Sequence, residues 1–338
     1  MGSRKMKAFT IERYGKSEVG RIAEMPVPNV AADEVLVKIH AASINPLDLK
    51  IREGAFKLIL PYRLPLILGN DMAGTVVQVG SKVTRFKAGD EVYARASKDR
   101  IGTFAEFISI NESAVAFKPK SLNMDEAASI PLVGLTAWQA LTEKADLKAG
   151  QKILIHAGSG GVGTFAIQLA KYLGATVATT TGTSNVDWVK GLGADVVIDY
   201  KTTAFEDVLQ DYDVVLDTQG GETLDKSLTV LKSGGKLISI AGAPDPQFAK
   251  EINANWIIKI ASYLLSFNIR RKAKSKGVTY SFLFMKANGD HLRSIGELID
   301  TGHIKPVVDQ VFPFESTIEA LEYAGKGRAK GKVVINMI

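Results

Sequence analysis

The sequence predicts an α/β chain of two parts, a β-rich domain and a doubly wound parallel-sheet domain. Three observations predict it. Residues 6–128 carry short β-type segments punctuated by turn residues, and from about residue 129 apolar strands alternate with amphipathic helices. A glycine-rich loop then joins the first of those strands to a helix.

In the first part the β segments include 34–40, 74–80 and 106–110, separated by Pro26, Pro28, Gly69, Gly80 and Gly89. The second part offers strands at 152–156, 175–180, 195–199, 213–217 and 236–240, with helical stretches near 161–173, 184–192, 203–209 and 222–232. Strict alternation argues a parallel sheet. A long helical region over 246–270 follows, then a strand at 278–284, helices near 289–301 and 315–326, and a closing strand at 332–336. The ending resembles a return to the first part. The expected domains are therefore 6–128 with 270–338, and 129–269.

Composition limits the chemistry. The 338 residues contain no cysteine, which removes disulfides, thiolate nucleophiles and cysteine-ligated metals together. The four histidines, His40, His156, His291 and His303, share no ligand-like spacing. No apolar run is long enough to cross a membrane, and the start is too short and basic for a secretory signal, so a cytoplasmic location is expected. Met1-Gly2-Ser3 is compatible with an added leader before a natural start at Met6. A net charge of +6 suits an anionic partner of some kind. The densest basic run, 270–276, has no interleaved aromatics and is expected to be a solvated loop, with RNA or a membrane surface as the sharper alternatives.

The central motif is Gly158, Gly160 and Gly163, in the order G-x-G-x-x-G after the strand 152–156 and before the helix 161–173. Glycine is needed there because a tight turn and a close approach of backbone to pyrophosphate exclude a Cβ. A site for NAD usually ends the next strand in Asp or Glu. Here that end runs Thr179-Thr180-Thr181-Gly182-Thr183-Ser184-Asn185, neutral and without Lys or Arg, so NADPH is the expected cofactor and its 2′-phosphate needs a cation from elsewhere.

The segments 45–50, 69–74, 86–93 and 131–137, the glycine loop and 331–334 come in an order that resembles the zinc-free medium-chain dehydrogenase/reductases of the quinone oxidoreductase and enone reductase kind. The resemblance spans about residues 6–338. It implies a GroES-like substrate domain and a Rossmann NADPH domain. Zinc-dependent members place Cys near Asn45 and Gly-His-Glu at Gly69-Asn70-Asp71, so no metal is expected. Hydride transfer would then suit electrophilic acceptors, quinones or the C=C bond of α,β-unsaturated carbonyls. The resemblance further implies Lys50 and Thr136 near the nicotinamide and its ribose, and Gly161, Val162 and Gly163 at the pyrophosphate. Gly182, Thr183, Ser184 and Tyr200 would surround the 2′-phosphate, with Gly327 and Arg328 approaching from the carboxyl-terminal segment and Ile240 and Phe284 completing the set. Arg328 would supply the missing cation.

Lys50, Asn45 and Tyr62 are the catalytic candidates: Lys50 beside a developing oxyanion or as a ribose contact, Asn45 shaping the cleft or starting a turn, Tyr62 as proton donor or apolar cover. Asp48 could shape the cleft or cap a helix. Phe282, Phe284, Trp256 and Tyr263 fall where relatives build a substrate wall, though such aromatics are commonly plain core. The resemblance implies a homodimer through the Rossmann edge strand, as is common among relatives. An NADPH-binding structural or interaction protein with little turnover is the alternative, and RNA binding by the basic run a third; neither nucleic acid nor membrane is the expected partner.

Overall fold

A computed structural model describes residues 4–16, 19–57 and 60–338. Met1-Gly2-Ser3, the suspected leader, lies outside the described residues. The chain divides into two compact units, Met1–Leu135 with Lys286–Ile338, and Thr136–Met285.

The first unit is built on β structure. Its larger sheet runs Val308–Pro313, Lys332–Asn336, Glu34–Ile44, Asp71–Val79, Glu91–Arg95, Val115–Phe117, and Phe107–Asn111 also pairs with Glu34–Ile44. A second, three-stranded sheet orders Arg21–Pro26, Lys5–Ile11 and Leu66–Ile67. The long strand Glu34–Ile44 is central because Val35, Val37 and Ile39 are almost wholly buried and pack with Met72, Val76 and Val92 from the strands beside it. The closing strand lies antiparallel to it, pairing Val333 with Ile44 and Val334 with Ser43. That register brings Lys332 to the start of the short helix Pro46–Arg52.

The second unit holds a six-stranded parallel sheet in the order Val196–Asp199, Thr176–Thr181, Lys152–Ile155, Tyr212–Asp217, Leu231–Ser239, Thr279–Phe282. Numbered along the chain this is 3-2-1-4-5-6, the doubly wound order whose ligand crevice opens at the carboxyl ends where the winding reverses. Ile153, Leu154, Ile155, Val215 and Leu216 are completely buried, as strands covered on both faces must be. The helix Gly161–Tyr172 covers one face with Phe165, Ala166, Ile167, Leu169 and Ala170.

Three expectations fail. Residues 270–285 belong to the second unit, because Thr279–Phe282 pairs with Leu231–Ser239 and extends its sheet. The long helix over 246–270 is three helices, Pro246–Glu251, Trp256–Leu265 and Phe267–Ser275, the first break falling where Asn253 takes a φ of 51° before the cap Asn255. The basic run is thus helical rather than a loop.

Candidate functional site

In the second unit the carboxyl ends of the strands gather most of the expected nucleotide residues. Ile155 leads into the glycine loop, Thr181 into Gly182, Asp199 into Tyr200, and Ser239 into Ile240; Phe284 follows Phe282. The loop glycines are not equivalent. A Cβ on Gly158 would stand 2.2 Å from the Thr179 hydroxyl, and one on Gly163 2.2 Å from the Ala157 carbonyl, so the fold itself requires both. A Cβ on Gly160 would meet nothing closer than 3.5 Å. Gly160 is therefore free of any demand from the protein, and a glycine there keeps the loop surface open to a ligand. Gly160 also opens the helix without a capping side chain. The first amides, on Gly161, Val162 and Gly163, are thereby left to an anion at the positive end of the helix dipole. These residues fit a dinucleotide pyrophosphate.

His156, just ahead of the loop, is a buried strut. Its Nδ1 lies 3.2 Å from Thr180 Oγ1 and its Nε2 2.9 Å from Ser227 Oγ, while Thr180 Oγ1 also accepts from the Ala157 N–H. Burial pushes the imidazole down to about 4, so at neutral pH it is an uncharged link that holds the loop.

The end of strand Thr176–Thr181 is less neutral in space than along the chain. Asp199, from the neighbouring strand, accepts from the Thr183 side chain and from the Lys201 amide N–H, and the Thr183 bond first among these holds it below the usual carboxylate range. Beside it stands a cation that the sequence reading missed. The Tyr200 hydroxyl and Lys201 Cε lie 3.5 and 3.7 Å from where a Cβ on Gly182 would be. Lys201 follows a different strand, so no local window around 179–185 could have contained it. Parallel pairing of Thr181 with Asp199 is the signal that would have found it.

Gly327 and Arg328 belong to the first unit, both exposed, just after the helix Thr317–Gly325. Thr136 is buried at the start of the second unit, within the helix Pro131–Trp138.

The first unit carries a second polar centre. The helix Pro46–Arg52 begins after Asn45, and Asp48 reaches back to accept from the Asn45 N–H at 2.7 Å, the cap role foreseen for it. Asp48 also accepts from Asn70 Nδ2 at 2.7 Å. Asp71 accepts from Ser43 Oγ at 3.0 Å, Asn45 Nδ2 at 2.9 Å and the Leu132 N–H at 2.8 Å. Into this ring comes the Lys332 ammonium, donating to Asn45 Oδ1, to the Ile44 carbonyl at 2.9 Å and more distantly to Asp71 at 3.5 Å. Burial pushes Asp48 up to about 6, pushes Asp71 up against the pull of Lys332, and pushes Lys332 down against the pull of Asp71. Asn45 thus acts by joining Asp71 to Lys332. The pairing of Asp71 with Lys332 was not among the sequence expectations, because their meeting depends on the pairing of the closing strand with Glu34–Ile44.

Lys50, on the same helix, is exposed. Tyr62 is half-buried, and its hydroxyl donates to the Lys98 carbonyl at 2.6 Å. Burial pushes it up to about 12. A phenol committed to a backbone acceptor and that hard to ionise is a poor proton donor, so its geometry favours the covering role. Of the supposed substrate wall, Phe282 and Phe284 pack edge-on against Phe248, whereas Trp256 is 69% exposed and Tyr263 49%.

Two family models match the chain: alcohol dehydrogenase GroES-like domain over residues 31–120 and zinc-binding dehydrogenase over residues 192–335. The zinc of the second description finds no donor set in the polar centre. Among the described residues no three His, Cys, Asp or Glu converge as metal ligands, and the Asp71 carboxylate already faces an ammonium. The human mitochondrial NAD(P)H oxidoreductase RTN4IP1 is 37% identical over 98% of this chain and 89% of its own length. The chloroplastic NADPH-dependent alkenal/one oxidoreductase of Arabidopsis thaliana is 37% identical over 98% of this chain and 80% of its own. The quinone oxidoreductase from Coxiella burnetii superposes with a TM-score of 0.87 at 31% identity, covering 99% of this chain and all of the other. This chain belongs to the medium-chain dehydrogenase/reductase family, in its quinone oxidoreductase and enone reductase branch.

Proposed function

We propose that the protein is a zinc-free, NADPH-dependent reductase that delivers hydride to quinones or to the C=C bond of α,β-unsaturated carbonyls. The observation that carries this reading is the cradle at the carboxyl edge of the parallel sheet, where Gly160 is open and the amides of Gly161–Gly163 are uncapped. The names of the relatives support the acceptor class. Bound NADPH supplies the hydride, and the protein contributes position and charge. The helix amides hold the pyrophosphate, while Tyr200 and Lys201 are assigned to the 2′-phosphate and Arg328 is kept as the family resemblance implies it. Lys201 is set beside Asp199, which tempers the preference over NADH. Lys50, exposed on its helix, is assigned as the ammonium for the oxygen that gains charge as hydride reaches the β-carbon. Solvent returns the proton.

Zinc-free is supported by Asn45, Asn70 and Asp71 at the positions of the metal ligands in zinc-dependent members, with Lys332 as the local cation. A homodimer through the outer edge of Thr279–Phe282, the last strand of its sheet, completes the proposal.

The test is a panel of ortho- and para-quinones, 2-alkenals and enones with NADPH, followed by loss of cofactor absorbance, beside a metal assay of the purified protein. Turnover of one class with NADPH favoured over NADH is expected. Tight NADPH binding with no turnover would replace this reading by that of a nucleotide-binding interaction protein, and stoichiometric zinc would overturn its metal-free part.

A further inference from the structure

The helices Trp256–Leu265 and Phe267–Ser275 are amphipathic the wrong way round for a water-facing surface. The positions they bury are Ser262, Ile269 and Ala273, with Ser266 buried between the two helices, mostly small or hydroxylic. Outward stand Trp256 at 69% exposure, Ile257 at 58%, Leu264 at 65% and Leu265 at 66%, with Ile260 and Phe267 beside them. Surface helices of soluble domains show the reverse, and a contiguous apolar face of this kind marks a contact surface.

What covers it is indicated by charge. Residues 252–289 contain no aspartate or glutamate and seven lysines and arginines. The cations sit against the apolar face rather than away from it. The Arg270 guanidinium lies 4.6 Å from the Tyr263 ring centre, and that of Arg271 5.8 Å from the Phe267 ring. Lys272 is drawn to Asp225 at 3.0 Å, an exposed pair, while Lys274 and Lys276 are exposed beyond it. A second copy meeting this face about a two-fold axis would set like charges together. RNA would want a run of free stacking rings, whereas Ile257, Ile260, Leu264 and Leu265 outnumber the rings here and those of Tyr263 and Phe267 are taken by Arg270 and Arg271. Apolar side chains that enter the acyl boundary, flanked by cations level with anionic headgroups, describe an interfacial helix. Among the described residues no helix is long and apolar enough to cross a membrane.

We propose that Trp256–Leu265 and the basic helix after it dock the protein on the surface of an anionic lipid bilayer. The helices lie in the interface without spanning it. This surface is independent of the identity of the hydride acceptor.

The full chain is floated with vesicles of phosphatidylcholine containing phosphatidylserine, and with phosphatidylcholine alone. The expected result is flotation with the anionic vesicles that weakens as salt rises. It should fall by at least about tenfold in Leu264→Ser/Leu265→Ser and in Arg271→Gln/Lys274→Gln, both altered at exposed positions and checked for native circular dichroism. Brominated lipid should quench tryptophan emission in the wild type and not in Trp256→Phe. The proposal is overturned if the wild type stays unbound, or if flotation survives the leucine substitutions. It is equally overturned if Leu264→Ser/Leu265→Ser splits a dimer that does not float, or if the chain ignores vesicles and binds a single-stranded ribonucleotide oligomer.

Discussion

Replacing Lys332 by methionine should destabilise the first unit by about 3–5 kcal/mol at neutral pH, the usual cost of removing one partner from a buried ionic pair. Lys332 is 5% exposed and Asp71 fully buried, so no water takes over the ammonium's place. Methionine fills nearly the same volume, which leaves the missing charge, with its bonds to Asn45 Oδ1 and the Ile44 carbonyl, as the main change. Asp71 would keep the donors Ser43, Asn45 and the Leu132 N–H, so the lower half of the range is expected. For a domain of this size that corresponds to a drop in Tm of roughly 6–16 °C. Trp138, Trp188 and Trp256 all lie in the second unit, which makes fluorescence blind to this change. Calorimetry, with amide exchange at Val333–Ile335, reads it. Burial already raises Asp71, and losing the ammonium raises it further. A raised carboxyl is stabilising only while protonated, so the deficit should shrink as pH falls and grow again as pH rises through the native value. Adding Asp71→Asn should recover at least half of the loss, because Asn45, freed of Lys332, turns its amide to match. A loss under about 1 kcal/mol, or one indifferent to pH, would refute the pairing and leave Lys332 as mere packing.

Gly160→Ala should leave thermal stability within about 0.5 kcal/mol of wild type yet weaken NADPH at least tenfold, whereas Gly163→Ala should damage both, as differential scanning and fluorescence titration would read. Lys201→Ala and Arg328→Ala should each raise KM for NADPH more than for NADH; equal effects on the two cofactors would remove that residue from the phosphate site. Tyr62→Phe should keep kcat within about twofold and cost about 1 kcal/mol of stability for the lost bond to the Lys98 carbonyl; a collapse of kcat would restore it as proton donor. His156 is depressed to about 4 by burial, so its stabilising contribution is intact above its ordinary value near 6.5 and lost as pH falls toward 4. Acid unfolding of the second unit should therefore be shallower in His156→Gln, as circular dichroism between pH 7 and pH 4 would show.

What the sequence made legible was whatever is encoded locally. The strand 152–156, the three glycines and the helix after them are contiguous, so turn chemistry and periodicity were enough to place the cradle. The strand at 278–284 was equally visible, but its membership was not, since joining one sheet or another is decided by pairing with Leu231–Ser239 over a long separation. The break at Asn253 was missed because the surrounding apolar residues keep a helical rhythm across it.

The candidate site shows the same division more sharply. Asn45 sits in a recognisable segment, yet the charge that faces it comes from far along the chain. Lys332 reaches Asn45 only because the last strand lies beside Glu34–Ile44, and Lys201 reaches Gly182 only because Val196–Asp199 pairs with Thr176–Thr181. In both places a buried or edge carboxylate, Asp71 or Asp199, is balanced by a lysine that follows or opens a neighbouring strand. Charge balance is a property of the sheet rather than of the motif. Motifs alone therefore name candidate ligand groups and miss the groups that fix their charge.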